Sequence, residues 1–186
     1  MKHLYFIIIF CLIIINNISA SEQYPDLLIY NGNEYEIDNY PIESYFEIYP
    51  NVRPGNRNRN LNSALLRGYR ARYEIINNEL ILINIETMGS NGNWIIINNR
   101  NIRNRIKINT FTGRIGIPNG GITWVFIGFT PIYENYIILE IENGDLKLVY
   151  NENCYEYLQS ILKLHENESR EYNYILRKLE ELYNRN

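Results

Sequence analysis

The sequence predicts an α+β fold: a single β-rich antiparallel domain with a short helix in its N-terminal half and one or two helices at its C-terminal end. Two Asn-Gly pairs between apolar runs, at Asn31-Gly32 and Asn143-Gly144, predict tight hairpins, because this pair accepts the positive φ angles of a two-residue turn. From residue 64 onward, apolar and polar residues alternate, as in half-buried strands. Residues 154–182 instead place mainly apolar side chains at alternating intervals of four and three, which is a helical spacing that polar His165 and Glu168 interrupt.

The first twenty residues carry the features of a secretory signal peptide. A short basic start is followed by twelve apolar residues from Leu4 to Ile15, and then by small Ser19 and Ala20. The apolar run is shorter than the roughly 20 residues that a membrane-spanning helix needs. We therefore expect cleavage after Ala20, a mature chain of residues 21–186 that is secreted or periplasmic, and no further membrane span. An uncleaved membrane tether is the alternative.

The short N-terminal elements follow from turn and helix signals. "DLLIY" and "NEYEI" flank the first Asn-Gly pair and form the predicted hairpin. "PIESYFEIY" places Ile42, Phe46 and Tyr49 at helical spacing, with Pro41 where a first helical turn tolerates it. The next stretch, "PNVRPGNRNRNLN", is predicted to be a loop because of its prolines, glycine and repeated asparagines.

The central strands contain an arginine cluster. In one predicted strand, Arg70 and Arg72 share a face with Glu74, while the opposite face is apolar except for Arg67. Arg70 and Arg72 are therefore expected on the wet face, whereas Arg67 is expected to pair with a carboxylate. After the turn "INN", the chain returns as "ELILINIE". The expected members of its apolar face are Ile81, Ile83 and Ile85.

Several further elements are predicted before the C-terminal helices. "WIII" forms a strand, and "RIKINTFTGRIGIP" forms one strand that bends at Gly113. "PNGG" from Pro118 to Gly121 is predicted as a turn that leads into the strand "ITWVFIGF". "YIILEIENGDLKLVY" is predicted as a hairpin.

The C-terminal segment, residues 152–184, is predicted to be helical and to cover the sheet. Its apolar positions include Leu158, Ile161, Ile175 and Leu179, and polar residues near 166–169 leave open whether it forms one helix or two. A self-associating coiled coil is the alternative.

Scarce cysteine and histidine limit the chemistry of the mature chain. Cys154 and His165 are the single residues of their types after Ala20, so an intramolecular disulfide and a metal site of several histidines or thiolates are excluded. Cys154 is expected to pack as a small hydrophobic residue on a helix face. No phosphate loop or nucleophile elbow occurs, and "GRIGIPNGG" lacks the spacing of a dinucleotide loop. The sequence therefore predicts no catalytic, cofactor-binding or metal-binding residue.

Charge divides the mature chain into three blocks. Residues 21–49 carry seven acids and no base, residues 50–116 carry eleven bases against three acids, and residues 117–186 carry six bases against eleven acids. We expect the outer acidic blocks to pack beside the basic middle block and neutralise it.

Three stretches resemble the successive signatures of a family of small uncharacterised bacterial proteins. "PIESYF", "LLRGYRARYEI" and "TGRIGIPNG" are similar to that family's "PLExYF", "LWRGYxAxFEI" and "TGxLRIPxG". Leu66 stands where the pattern has Trp, and "WVFIGF" replaces a stretch that usually carries a His. The resemblance implies one β-rich domain and transfers no catalytic residue.

The sequence favours binding over catalysis. As hypothesis, Arg70 and Arg72, together with Arg57 and Arg59 of the loop, contact an anionic partner: a protein or an anionic surface component such as a polysaccharide or lipid head group. An exported chain with a pI of about 5.5 does not favour nucleic acid as partner. The alternatives are an immunity-type toxin inhibitor and a hydrolase of surface glycans that uses two carboxylates facing each other across a cleft.

Overall fold

A computed structural model describes residues 23–54, 63–97, 105–125, 131–164 and Arg177. The predicted signal peptide, the loop that carries Arg57 and Arg59, and the helical positions Ile175 and Leu179 lie outside these residues. Two α-helices, two short 3₁₀ turns and nine strands occur within them. The elements are β1 (Asp26–Tyr30), β2 (Asn33–Ile37), α1 (Ile42–Ile48), the 3₁₀ turns Pro50–Val52 and Ser63–Leu65, β3 (Arg70–Ile76), β4 (Glu79–Met88), β5 (Trp94–Ile96), β6 (Ile106–Lys107), β7 (Gly113–Val125), β8 (Pro131–Glu142), β9 (Asp145–Asn153) and α2 (Cys154–Leu164).

The described strands form one sheet in the order β2-β1-β3-β4-β9-β8-β7, with β5 and β6 also paired to β4. The β-rich α+β architecture is confirmed, but the sheet is mixed rather than purely antiparallel. β1 and β3 run parallel, with Leu28 opposite Tyr73. The chain leaves β1 through a hairpin and a helix, and this long connection lets β3 return beside β1 in the same direction.

The predicted hairpins are confirmed at three turns. Asn31 and Gly32 have φ angles of 50° and 79°, and Asn143 and Gly144 have φ angles of 52° and 76°. The turn between β3 and β4 places Asn77 and Asn78 in the same left-handed region, with φ angles of 52° and 62°. Asparagine tolerates this region better than most side chains, so a sequence rich in Asn can form tight turns without glycine.

The predicted apolar face of β4 is wrong over its first half. Leu80 and Leu82 are fully buried, whereas Ile81 and Ile83 are only partly buried. The register shifts between β3 and β4, because Tyr73 is opposite Leu82 while Arg72 is opposite Asn84. Ile83 is the extra residue of this β-bulge, and the shift brings Ile85 back to the buried face.

The predicted strand "RIKINTFTGRIGIP" is divided into β6 and β7. The backbone N–H of Phe111 donates to the carbonyl of Ile108 at 3.1 Å, which makes a turn between the two strands. β6 pairs with β4, whereas β7 pairs with β8. The predicted single strand with a bend at Gly113 is therefore wrong: the stretch forms two strands that pair with different neighbours.

The predicted turn at Pro118–Gly121 lies within β7, which continues to Val125. The pairing with β8 shifts register between Asn119 and Ile122, and Gly120 has a φ of 95°. β8 begins at Pro131, five residues before the start of the predicted hairpin, and so supplies a partner strand for this longer β7. Gly120 and Gly121 therefore form a β-bulge rather than the predicted turn, because both strands continue past them.

Two apolar clusters form the core. The larger one packs α1 against the sheet through buried Ile42 and Phe46, as the helical spacing predicted, whereas Tyr49 lies just beyond the helix and is 49% exposed. The smaller one lies beneath α2 and includes Cys154 and Leu158. Cys154 is buried as a free thiol, which confirms its predicted role as a small hydrophobic residue.

The two end strands of the sheet, β2 and β7, come side by side. No backbone ladder joins them in the part of the chain that the structure describes. We call this unpaired gap the seam. No helix among the described residues is long and apolar enough to cross a membrane.

Candidate functional site

A buried acidic group, Asp26, organises the start of the sheet. Its side chain is fully buried, and its Oδ1 accepts hydrogen bonds from Nη2 of Arg67 at 3.0 Å and from the Ala71 N–H at 2.9 Å. Its Oδ2 accepts a hydrogen bond from the Tyr73 hydroxyl at 3.0 Å, and that hydroxyl in turn accepts one from the Ile42 N–H at 3.0 Å. The predicted pairing of Arg67 with a carboxylate is therefore confirmed, but its predicted place in the strand is wrong, because Arg67 lies in the turn before β3.

The surroundings of Arg67 hold the guanidinium in place. The group lies over the Tyr40 ring, 3.7 Å from its centroid, and donates to the Tyr24 carbonyl at 3.0 Å. Burial raises the pKa of the Asp26 carboxyl above its usual value of 3.8, and Arg67 offsets part of this effect. The Asp26 cluster joins β1, β3 and α1 within the core, which indicates a structural role.

The outward-facing arginines of β3, Arg70 and Arg72, form ion pairs with carboxylates. Nε of Arg70 donates to Oε2 of Glu86 at 2.8 Å, and the Arg70 guanidinium lies 3.8 Å from the centroid of the Trp94 ring. Arg72 pairs with Glu34 and lies 3.5 Å from Oε1 of Glu86. The two arginine side chains are only 16% and 25% exposed.

Arg70 and Arg72 share the sheet face opposite Ala71 and Tyr73, as the alternation predicted, but this face is an ion-pair network rather than an open basic surface. Arg57 and Arg59 of the predicted partner-binding set lie outside the described residues. The predicted neutralisation of the middle block is confirmed for several described bases. These pairs are Arg67–Asp26, Arg72–Glu34, Arg53–Glu43, Lys107–Asp145 and Arg114–Glu152.

A cavity of about 380 Å³ opens at the seam, and we call it the tyrosine cavity. Its lining comes from the segment before β1, the end of β2 with the residue that follows it, the 3₁₀ turn Ser63–Leu65, the facing parts of β7 and β8, and α2. Small and rigid residues, including three prolines, complete the walls. The side chains that give it chemical character are Tyr24, Tyr133, Tyr136, Tyr157, Glu36 and Asp38.

The aromatic wall of the cavity is firmly held. The rings of Tyr136 and Tyr157 stack with centroids 3.8 Å apart, and Tyr133 meets Tyr136 edge to face at 6.2 Å. The Tyr136 hydroxyl accepts a hydrogen bond from the Tyr133 N–H at 3.2 Å. Tyr157 lies so close to β7 that a Cβ at Gly116 would stand 2.5 Å from its ring, so only glycine leaves room here.

The wall formed by the segment before β1 is tied to the 3₁₀ turn that precedes β3. The Tyr24 N–H donates to the Ala64 carbonyl at 2.7 Å, and the Leu66 N–H donates to Oε1 of Gln23 at 2.8 Å. The Tyr24 ring meets Trp94 edge to face at 5.3 Å. The cavity is thus formed by anchored segments.

The phenols of Tyr136 and Tyr157 remain neutral donors and acceptors at ordinary pH, because the pKa of each is raised. Burial raises the pKa of Tyr157, and the nearby Asp38 charge raises it further. Burial likewise raises the pKa of Tyr136. The negative charge of the described lining therefore comes from Glu36 and Asp38 alone, since its other residues are uncharged.

Both acidic residues of the described lining come from one short segment of the chain. Glu36 lies at the end of β2 and Asp38 directly follows this strand, so the two carboxylates belong to one wall rather than facing each other as the paired-carboxylate hydrolase hypothesis requires. The described lining contains no histidine, cysteine, serine or threonine. Nor do the described residues bring three or more His, Cys, Asp or Glu side chains together as a metal site.

Sequence reasoning missed this site because its residues are far apart in the chain. Tyr24, Glu36, Tyr133 and Tyr157 belong to four separate segments, and none of them forms a motif with its sequence neighbours. The available signal was the excess of tyrosine, 17 residues in 186, but composition does not indicate which of the rings converge.

Comparison with known proteins identifies no relative. No family description, no curated protein and no solved structure matches this chain. The resemblance to a family of small uncharacterised proteins therefore stays a prediction that rests on the quoted signatures.

Proposed function

We propose that this protein is a non-catalytic binding protein and that the tyrosine cavity is its ligand site. The observation that carries the proposal is the convergence of four tyrosines and two carboxylates on one cavity of about 380 Å³. Ligand sites typically occupy about 300 to 1,000 Å³ and combine apolar walls with a few polar groups.

The rigidity of the walls supports the same proposal. A site whose aromatic side chains are already ordered loses little conformational entropy when a ligand binds. The Tyr136–Tyr157 stack and the hydrogen bond from Tyr133 to Tyr136 provide such order before any ligand arrives.

The described geometry gives less support to an anion-binding surface on β3. Arg70 and Arg72 already direct their guanidinium groups to Glu86 and Glu34, so an anionic partner would have to displace these carboxylates. Recognition of an anionic partner by Arg57 and Arg59, and inhibition of a toxin as an immunity-type protein, stay hypotheses from the sequence.

Ligand screening with a blocked cavity tests the proposed function. Fragments of neutral, cationic and anionic chemistry are screened against the folded protein by ¹H–¹⁵N NMR, and hits are mapped on the amide signals of Gly116 and Tyr133. Ala64→Phe places a ring in the cavity, whereas Ser90→Phe adds the same ring at an exposed turn. We expect hits at the cavity that Ala64→Phe abolishes and Ser90→Phe retains. A screen in which no fragment perturbs the cavity would contradict the proposal.

We also propose that the protein works outside the cytoplasm after removal of residues 1–20. The support is the signal-like sequence of these residues. Mass spectrometry of the protein recovered from the producing cell should give a mature N-terminus at or near Ser21. An intact Met1 on a membrane-bound species would contradict this proposal.

A further inference from the structure

We propose that the group bound in the tyrosine cavity is an organic cation, either an alkylammonium or a guanidinium group, held by the aromatic wall and the Glu36 and Asp38 carboxylates. This inference rests on the function proposed above, because it assigns a chemical class to the ligand of the same cavity.

The charge of the cavity is the first argument. Two carboxylates line it, and the described lining contains no lysine, arginine or histidine. Glu34, two residues before Glu36 on β2, pairs with Arg72, whereas no basic side chain of the described residues forms an ion pair with Glu36. A cationic ligand would supply the opposite charge that this carboxylate lacks.

The aromatic wall is the second argument. A cation near the face of a tyrosine ring is attracted by the ring's quadrupole, and aromatic cages with nearby carboxylates are suited to ammonium groups. This protein forms such contacts within its own fold, where Arg67 lies 3.7 Å from the Tyr40 centroid and Arg70 lies 3.8 Å from the Trp94 centroid. An anionic ligand would instead meet both the carboxylates and the negative ring faces, which disfavours binding.

Matched probes separate charge from shape. Choline is compared with 3,3-dimethyl-1-butanol, in which a carbon atom replaces the charged nitrogen, by NMR titration of the folded full-length mature protein. Nα-acetyl-arginine amide and Nα-acetyl-lysine amide represent cationic side chains of a protein partner, whereas choline represents a free amine. We expect choline to perturb the Gly116 and Tyr133 amides and to bind about tenfold more tightly than its neutral isostere.

Matched variants identify the groups that recognise the charge. Glu36→Gln and Asp38→Asn keep the shape of the cavity, and each is expected to weaken choline binding about fivefold while leaving the neutral isostere unchanged. Tyr133→Leu should weaken the cation more than the isostere, because it removes a ring face but retains apolar area. Glu142→Gln, at an exposed acid that does not line the cavity, is the control and should change neither affinity.

The outcomes separate the two proposals. Equal affinity for choline and its isostere at the cavity would overturn the cation inference while leaving the cavity as a ligand site. Choline shifts that map elsewhere on the protein would also overturn it. Tighter binding of an amino-acid amide than of choline would support the inference and identify a protein side chain as the source of the cation. Failure of all cationic probes, with neutral fragments bound at the cavity, would overturn the inference alone.

Discussion

At the scale of single residues, the contribution of a charged side chain to stability depends on the residue with which it pairs. Arg67 and Arg70 are three positions apart, yet one joins a fully buried carboxylate and the other a nearly buried carboxylate on the opposite face of the sheet. The consequence of removing an arginine therefore depends on the acid that is left behind, rather than on the arginine's own exposure.

Removal of Arg67 should be strongly destabilising. Arg67→Ala leaves Asp26 buried beside two remaining donors, and breaking such a buried pair costs about 3 to 5 kcal/mol. Urea unfolding at neutral pH measures this loss. Arg53→Ala is the control, because the Arg53 side chain is 46% exposed and its pair with Glu43 is expected to contribute about 0 to 1 kcal/mol.

The pH dependence of the Arg67→Ala variant gives a second readout. Burial already raises the pKa of Asp26, and loss of the neighbouring positive charge should raise it further. A carboxyl whose pKa is raised by folding binds a proton more readily in the folded state, so acidification stabilises that state. The stability deficit relative to wild type should shrink as the pH falls from 7 toward the usual value of 3.8. A constant deficit would show that Asp26 is not the group left uncompensated.

Removal of Arg70 and Arg72 should also affect folding. Solvated arginines on the wet face of β3 could be removed at little cost to stability, but Glu86 is only 6% exposed and depends on both arginines. A buried acceptor that loses its donors costs about 1 to 3 kcal/mol. Urea unfolding of Arg70→Ala, Arg72→Ala and the double variant, each with and without Glu86→Gln, measures the coupling. A double variant within about 0.5 kcal/mol of wild type would instead support the solvated arrangement.

At the scale of elements, α2 depends on the sheet for its stability. Its eleven described residues are by themselves too few for a stable isolated helix, and packing against the sheet stabilises this part of the chain. Leu158 is 8% exposed and packs with Ile132, Tyr136 and Ile138 of β8. α2 also supplies Tyr157 to the tyrosine cavity, and loss of its packing should therefore disturb the proposed ligand site.

Truncation of Leu158 tests this dependence. Leu158→Ala should lower the free energy of unfolding by about 2 to 5 kcal/mol, because it leaves a cavity between α2 and β8. Leu148→Ala is the matched control, since Leu148 on β9 is 58% exposed and its removal should change stability little. Thermal unfolding measures both, and analytical ultracentrifugation measures the mass. An unchanged midpoint with a changed mass would indicate that the helical segment mediates self-association instead.

At the scale of the whole molecule, tyrosines fill positions that other proteins give to apolar side chains. Tyr69 and Tyr73 are fully buried in the larger cluster, and Tyr136 is nearly buried in the smaller one. Burial raises the pKa of each of these three phenols, in addition to that of Tyr157. The fold as a whole is therefore coupled to the protonation of its tyrosines.

Alkaline titration should expose this coupling. A group whose pKa is raised by folding contributes its full stability below its unfolded pKa, and loses that contribution as the pH rises above it. For tyrosine this loss begins near the usual value of 10.0. We expect tyrosinate absorbance at 295 nm to rise in two stages, first from exposed rings and then cooperatively with the loss of circular dichroism. Full ionisation of all tyrosines without unfolding would contradict the burial of these rings.

The local elements were predictable because their causes are local. The Asn-Gly turns, the helical spacing of Ile42 and Phe46, and the alternation around Ala71 each depend on residues within a few positions. The pairing of Arg67 with a carboxylate was also predictable, since a charge among apolar neighbours needs compensation. The identity of that carboxylate, Asp26, was not evident because 41 residues separate the two.

The sequence by itself therefore determined the β-rich class, the three hairpin turns, the first helix and the buried role of Arg67, since backbone preference and local periodicity decide these features. Tertiary structure alone decided the parallel pairing of β1 with β3, the bulge at Ile83 and the partners of Arg70 and Arg72. It also decided the tyrosine cavity, whose lining residues converge only when the end strands of the sheet come together at the seam. Such convergence depends on the summed packing of distant segments, which no short stretch of the sequence encodes.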